Sequence, residues 1–445
     1  IQLAEGATIE ANMVSFSSIT VVLGLLCIAS SPLHHALKQD ESFLVKKEAR
    51  IPVIQTENGH VTKVSIFAGT RDPAHLQFFS LDPNSLFLPV VLHEDMVFYV
   101  QTGMGSCSWT INGNELQSIS IRKGDVFRLQ TGSVFYFQSS FDAEKLRISA
   151  IFSNTGKDIF QEAPGEAYTS VSDFVLRFDQ RILHSAFKIS EDEVAEIISQ
   201  GKPPGIVPSP SSHERSFISL FTRGDFLNKK KKEKEKQKKK KTLAPYNILG
   251  TRPYFRSCNG WLAAADEEDT EFLRGSNIGV LAANLERGSM MGPRWNAMAA
   301  EIGVVVHGGG VIQVVCPGKS SASGCKEVRL RVDEGDVFAV PRLHPAAHVS
   351  FNNGSLMFVG FSITSQKNSA QYLVGKRTML KALETEVVAA SFNVHNSTLI
   401  EKLLMEETQG IIVDCVSCAE DLLLEDGQEM PRQKEEEILS RWKEI

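Results

Sequence analysis

No stretch of this sequence is apolar for long enough to cross a bilayer: the one candidate, Ile19 to Ala29, falls well short of the roughly 20 residues a membrane-spanning helix requires. With Ser30, Ser31 and Pro32 behind it, the run has the length and small-residue ending of a secretory signal. Met13 is its natural start, so residues 1–12 read as upstream sequence, 13–31 as a signal peptide, and no membrane attachment is expected once it is removed. A distributed basic face is also missing. Lysine concentrates in Lys229 to Lys241, broken only by Glu233, Glu235 and Gln237, within a chain of formal charge −6, so no nucleic-acid partner is expected. Cysteine is sparse, at seven residues, and Cys415-Val416-Ser417-Cys418 has no second Cys or His pair at zinc spacing. That motif reads as a local disulfide or as free thiols. Cys316 and Cys325 bracket a polar turn between two apolar runs, and on an oxidising route they are the expected disulfide pair.

What is present is ample material for packed cores. Hydrophobic residues make up 42% and charged residues 22% of 445, which excludes global disorder and favours two domains over one.

Those domains are two copies of one module. Ile119-Ser-Ile-Arg-Lys-Gly-Asp-Val-Phe127 recurs as Leu330-Arg-Val-Asp-Glu-Gly-Asp-Val-Phe338. Met96 to Gly105 matches Glu301 to Gly310, Leu146 to Ser153 matches Leu356 to Ile363 in character, and the segment from Ser185 to Ile198 matches that from Ala390 to Leu404. Repetition in constant order is the signature of a duplicated unit. Within each copy, short runs rich in Val, Ile, Phe and Thr alternate with Gly, Asn and Ser turns, which predicts a mainly β sandwich or barrel. Each copy ends in a helical segment. Ser190-Glu-Asp-Glu193 forms a capping box, Val194, Ile197 and Ile198 form an apolar stripe, and Ile400, Leu403 and Leu404 repeat it. Such stripes bury against their own barrel or against a neighbouring subunit, and the residues leave both open.

The expected organisation is a first barrel with helical extension at 40–200, a Pro/Ser- and Lys-rich flexible linker at 201–245, a second barrel with helical extension at 246–410, and a Cys-containing charged tail at 411–445. Like charges at the density of Lys229 to Lys241 repel and cannot bury apolar surface, so the linker reads as solvated and protease-accessible. Asn353-Gly-Ser and Asn396-Ser-Thr fit the N-glycosylation acceptor pattern and the secretory route.

The repeated barrel with its Gly-Asp-Val-Phe motif resembles the cupin superfamily. More narrowly, Asp95-Met-Val-Phe-Tyr-Val, Gly132-Ser-Val-Phe-Tyr-Phe-Gln-Ser-Ser, Gly275-Ser-Asn-Ile-Gly-Val, Gly288-Ser-Met-Met-Gly-Pro and Ser350-Phe-Asn-Asn resemble vicilin-like 7S seed storage globulins, across roughly residues 40 to 420. The resemblance implies two tandem jelly-roll barrels, a homotrimer clasped by the helical extensions, and delivery to protein storage vacuoles, with an extracellular destination as the alternative. It implies a nutrient reservoir that is not an enzyme and needs no cofactor.

Cupin enzymes hold a metal with His-x-His and Glu from one motif and a third His from another. By that pattern the His positions of the second copy are Arg294, Asn296 and Ala346, while Glu301 keeps the carboxylate. An arginine cannot be deprotonated to ligate, and no metal is expected. The first copy has Met96 at the Glu301 position and no His between Gly124 and Ser140. His344 and His348 share strand parity with Ala346. Arg294, Asn296, Glu301 and His348 therefore form either a polar pocket for a small carboxylate ligand or, the reading weighed more heavily, an Arg294–Glu301 ion pair plugging the barrel mouth. A metal-binding cupin and a germin-type oxidase are the competing functions.

Overall fold

The computed structural model describes residues 43–70, 72–110, 115–141, 144–153, 166–210, 244–266, 270–318, 327–364, 370–373, 375, 378–405 and 410–425, all within one compact unit, Phe43–Ile445. The expected signal peptide, the lysine run, Cys325 and the end of the tail lie outside the described residues.

The first copy builds two antiparallel sheets. One follows the order Tyr246–Asn247, Asp125–Leu129, Asp95–Thr102, Leu146–Ser153, Ala74–Leu81, Gly59–Ile66, Ile51–Thr56. The other follows Tyr168–Ser170, Ser85–Leu92, Val134–Ser139, Met104–Thr110, Gln117–Arg122, with Ile206–Pro208 also paired to Ser85–Leu92. Residues of Gln117–Arg122 alternate between buried and exposed, as a strand with one face on a core must, whereas Gly59–Ile66 buries Val61 in the first barrel's core and Val64 and Ile66, of opposite parity, in the cluster continuous with the second barrel.

The second copy repeats this plan. Its 16-residue strand Ala299–Val314 passes from one sheet to the other, pairing first with Leu356–Thr364 and Val337–Val340, then with Val328–Asp333 and Ala346–Ser350. In the first copy the same corner falls between two strands at Gly103, and both Gly103 and its counterpart Gly308 adopt a left-handed conformation, φ 76° and 73°, that suits glycine.

The repeated Gly-Asp-Val-Phe motif has a local cause. Gly124 and Gly335 adopt φ of 90° and 94°, and the following aspartate turns back to accept a main-chain amide: Asp125 from Arg122 (2.9 Å) and Asp336 from Asp333 (2.9 Å). The carboxylate closes the turn and the Val-Phe pair enters the barrel.

Each of these strands also receives a two-residue strand from the chain leading into the other barrel. Leu44–Val45 pairs with Phe338 and Val337 of the second barrel, and Tyr246–Asn247 pairs with Val126 and Asp125 of the first. Lys46 Nζ donates to Asp336 (2.6 Å) and the Lys47 amide to the same carboxylate (3.0 Å); Asn247 Nδ2 donates to Asp125 (2.7 Å). The buried Arg128–Asp95 pair adds a further tie, with Arg128 donating to the carbonyl of Arg274 (2.5 Å).

The helical extensions are α1 Val171–Leu176, α2 Gln180–Phe187 and α3 Glu191–Ser199 after the first barrel, then α4 Thr385–Ser391 and α5 Ser397–Met405 after the second. Both halves of the Ser190/Glu193 capping box form. Of the predicted stripes, Val194 and Ile400 are buried while Ile197 and Leu403 remain exposed. Ile400 packs with Val388 and Ala389 of its own helical pair.

Two boundaries differ from the composition-based expectation. Ile206–Pro208, inside the expected linker, is a strand of the first barrel with Ile206 fully buried. Ile412–Asp414 and the helix α6, Cys418–Glu425, inside the expected tail, pack on the second barrel through Ala419 and Leu423. Short apolar runs beside charged or Pro-rich sequence carry too little periodicity to stand out, and burial by the barrel determines their state. Among the described residues no helix is long and apolar enough to cross a membrane.

Candidate functional site in the second barrel

Strand pairing places the expected site. Ser289–Trp295 and Ala346–Ser350 run antiparallel with Arg294 opposite Ala346 and Met291 opposite His348, while Glu301 stands on Ala299–Val314. These positions send Arg294, Glu301 and His348 into the barrel, where they are 5%, 1% and 0% exposed.

Arg294 Nη2 donates to both Glu301 oxygens, at 2.9 and 2.6 Å. Burial by itself would lower the guanidinium's pKa; the Glu301 carboxylate outweighs it and holds the group above its ordinary value. His348 Nε2 lies 3.9 Å from Glu301 Oε1, beyond hydrogen-bond reach. Its ring stacks on Phe358 (4.9 Å, 11°) and meets the edge of Phe338 (5.5 Å). Neither ring nitrogen has a hydrogen-bond partner. Burial, then the Arg294 charge, pushes the imidazole well below its usual pKa, so it is neutral.

Asn296, also buried, is tied through its carbonyl to the Leu343 amide (2.9 Å). His344 does not join the interior. The strand begins only at Ala346, so the parity that includes His348 does not extend to it; His344 sits in the preceding turn with its ring beside Phe43. Sequence reasoning missed Tyr254 and Tyr372, whose hydroxyls lie 3.4 Å apart, with Tyr372 opposite Arg294 in the strand register. No spacing signal connects residues so far apart in the chain.

The metal of cupin enzymes does not fit this donor set. Arg294 carries a permanent positive charge at a ligand position, Ala346 offers no donor, and Glu301 is engaged by Arg294. No group of three or more His, Cys, Asp or Glu residues among the described residues is arranged to hold a metal. The equivalent positions of the first barrel are apolar: Val90, Met96, Phe135 and Phe137, with Phe135 opposite Val90 as Ala346 is opposite Arg294.

Both sequon asparagines, Asn353 and Asn396, are exposed. Cys415 and Cys418 form a disulfide, and Cys316 is disulfide-bonded; Cys107 and Cys258 are free.

The cupin family model matches residues 51–195 and 246–399. A vicilin-like seed storage protein of Arabidopsis thaliana is 41% identical over 414 residues, covering 88% of this chain and 77% of the relative. The chain belongs to the vicilin-like cupin family. A second vicilin-like seed storage protein of Arabidopsis thaliana is 42% identical over 409 residues; the match covers 88% of this chain and 56% of that longer relative. Vicilin from Corylus avellana, hazelnut, superposes with a TM-score of 0.70 at 22% identity, covering 84% of this chain and 99% of that one. Vicilin from Solanum melongena, described as having different anionic ligands in structurally similar pockets, matches with a TM-score of 0.69 at 21% identity, covering 84% and 97%. The vicilin-like fold thus accounts for both barrels and their helical extensions.

Proposed function

We propose that this vicilin-like chain is a seed storage globulin, a nutrient reservoir degraded for nitrogen on germination, and not an enzyme. The observation that carries the reading is the chemistry of the two interiors. One is filled by Val90, Met96, Phe135 and Phe137, and in the other the arginine fork is already occupied by Glu301. A cupin reaction needs open donor positions, and a small carboxylate would have to displace Glu301 from Arg294. The buried pair acts as a plug of the second barrel, and the names of the relatives at 41% and 42% identity agree with storage.

The storage form is a homotrimer that enters the secretory pathway and reaches the protein storage vacuole, with N-glycans at Asn353 and Asn396. Support for self-association comes from the helices. Phe174, Phe178, Ile182, Phe187 and Ile197 after the first barrel, and Val387, Phe392, Leu399 and Leu403 after the second, are each about half exposed. Apolar faces of that extent mark interaction surfaces, and two faces on one protomer suit a closed head-to-tail ring. Quantifying the protein through seed maturation and germination tests the function: accumulation followed by loss is expected, and constant low abundance would overturn it. Mass measurement at micromolar concentration tests the trimer, which a purely monomeric sample would refute.

A further inference from the structure

A free thiol and a disulfide meet at one cluster of turns in the second barrel. Among the described residues Cys258 is the cysteine that is both free and exposed, Cys107 being free but sealed in the first barrel's core. Cys258 begins the two-residue turn between the paired strands Phe255–Ser257 and Gly260–Ala265. The next residue, Asn259, is buried and turns its carboxamide on Asp414: Nδ2 donates to the Asp414 carboxylate (3.0 Å) and Oδ1 accepts the Asp414 amide (3.1 Å). The Cys258 sulfur lies 3.4 Å from the same carboxamide. Asp414 is followed directly by Cys415, half of the Cys415–Cys418 disulfide.

The backbone around these sulfurs is held by contacts that do not involve them. The Glu286 amide donates to the Asn259 carbonyl (2.9 Å) and the Cys415 amide to the Gly288 carbonyl (2.8 Å), so the single turn from Glu286 to Gly288 holds both partners. Asn352 clasps the Cys415–Cys418 turn as well, its Oδ1 accepting the Ser417 amide (2.9 Å) and its Nδ2 donating to the Ser417 hydroxyl (3.0 Å). The shape of that turn therefore does not depend on the sulfur–sulfur bond. A bond joining residues three apart in the chain also closes only a small loop and restrains little beyond it. Both cysteines are half-buried and Val416 between them is 71% exposed, so the disulfide stands where a neighbouring thiol can approach it.

We propose that Cys258, Cys415 and Cys418 form a thiol–disulfide exchange centre in which the bond moves from Cys415–Cys418 to Cys258–Cys415. The Cys258 thiol loses its proton and the thiolate attacks Cys415 Sγ. The Cys258–Cys415 bond forms as Cys415–Cys418 breaks, the electron pair of the broken bond leaves on Cys418, and Cys418 takes up a proton. No external oxidant or reductant is consumed. Attack falls on Cys415 because that residue adjoins Asp414, whereas Cys418 lies further on, at the start of α6. Asn259 is a positioning residue that holds the Cys258 turn against Asp414. The exchange changes what the bond encloses: the new pairing staples the turn after Phe255–Ser257 to the end of Ile412–Asp414, so that nearly the whole second barrel lies within one covalent loop. Longer loops restrain the unfolded chain more.

The test holds the full chain without reductant at about pH 8, where thiolate is available, then quenches and digests it in acid and maps thiols and cross-links by mass spectrometry. The free thiol should be shared between Cys258 and Cys418, with a Cys258–Cys415 cross-link recovered from monomeric chain, and Cys258→Ser should leave Cys415–Cys418 intact with no thiol at Cys418. In Cys418→Ser, oxidised glutathione should join Cys258 to Cys415 at least about tenfold faster than in the same variant unfolded in urea, because the fold holds the two thiols at high effective concentration. The cross-linked variant should also unfold at a higher denaturant concentration than its reduced form. A Cys418 that never appears as a thiol in the unaltered chain overturns the proposal. A cross-link in Cys418→Ser that forms no faster than in urea does so too, as does one that forms only between chains and rises with protein concentration.

Discussion

The two barrels share a backbone plan and differ in what fills it. At four equivalent positions the first holds Val90, Met96, Phe135 and Phe137, part of a cluster in which Phe79, Phe87, Phe98 and Phe137 meet edge to face. The second holds Arg294, Glu301, Ala346 and His348. One fold therefore tolerates an apolar interior and an ionic one, but the energetics differ in kind. Removing a methylene from the first costs packing, whereas changing one charge in the second strands the other in a low-dielectric interior.

The largest effect expected from that contrast follows Glu301→Gln, which leaves the Arg294 guanidinium buried without its counter-charge and should destabilise by about 3–5 kcal/mol. The double change Arg294→Val with Glu301→Met converts the second interior toward the first and should be neutral, or stabilising by about 1–4 kcal/mol. Denaturant unfolding of both variants decides the matter. A double variant as unstable as the single one would mean that this barrel requires polarity for its packing, and the contrast between the interiors would have to be recast.

The exchanged strands give a second contrast. Asp336 receives the charged Lys46 at 2.6 Å together with two main-chain amides, whereas Asp125 receives a neutral amide from Asn247 together with one main-chain amide. Each carboxylate accepts charge-assisted bonds, so Asp125→Ala should cost about 1.5–3 kcal/mol, and Asp336→Ala should cost more, because it loses an additional main-chain amide and the Lys46 charge. Salt should narrow the gap, since Lys46 is 41% exposed in its pair with Asp336. An equal cost for the two substitutions would show that closing the Gly-Asp turn, common to both, accounts for the whole effect.

Much of this plan was legible in the sequence and some was not, for identifiable reasons. The duplication and the Gly-Asp-Val-Phe turns stood out because a left-handed glycine followed by an amide-capping aspartate is a requirement of the backbone itself, repeated wherever the turn is repeated. Arg294 and Glu301 could be paired in advance because a family pattern placed both at the same ring of the barrel. The exchange of Leu44–Val45 and Tyr246–Asn247, and the strands Ile206–Pro208 and Ile412–Asp414, are two or three residues long. Their state is decided by the partner strand waiting for them, and so short a segment displays no period. The Tyr254–Tyr372 contact is likewise a product of folding alone.

His348 offers a pH test of the contrast. Its folded-state pKa lies well below the ordinary 6.5 because of burial and the Arg294 charge, so below about pH 6.5 the unfolded chain binds a proton that the folded chain does not. Stability therefore falls as pH drops below 6.5 toward the folded-state value, with a limiting slope of about 1.4 kcal/mol per pH unit. His348→Phe, which supplies the residue of the first barrel at this position, should abolish that slope and raise stability at pH 5 relative to pH 7. Phe137→His should introduce the slope into the first barrel. Unfolding titrations between pH 5 and 7.5 read both, and an unchanged slope in His348→Phe would assign the acid sensitivity to other groups.

The smallest effect is expected at the helix starts, where the two halves reach the same end by different residues. Ser190 Oγ accepts the Glu193 amide (3.2 Å) and Glu193 reaches back to the Ser190 amide (2.8 Å), whereas Asn396 Oδ1 accepts the Thr398 amide (3.1 Å) and hydroxyl (2.5 Å). Ser190→Ala and Asn396→Ala should each cost about 1 kcal/mol. An N-linked sugar on Asn396 attaches through the amide nitrogen and leaves Oδ1 free to cap, so occupancy of that sequon and capping of α5 are chemically compatible. Thr398→Ala separates the two: it abolishes the sequon while Oδ1 keeps the main-chain amide, and the helix should lose less than with Asn396→Ala. Equal losses would mean that the hydroxyl contact, and not the main-chain cap, holds the start of α5.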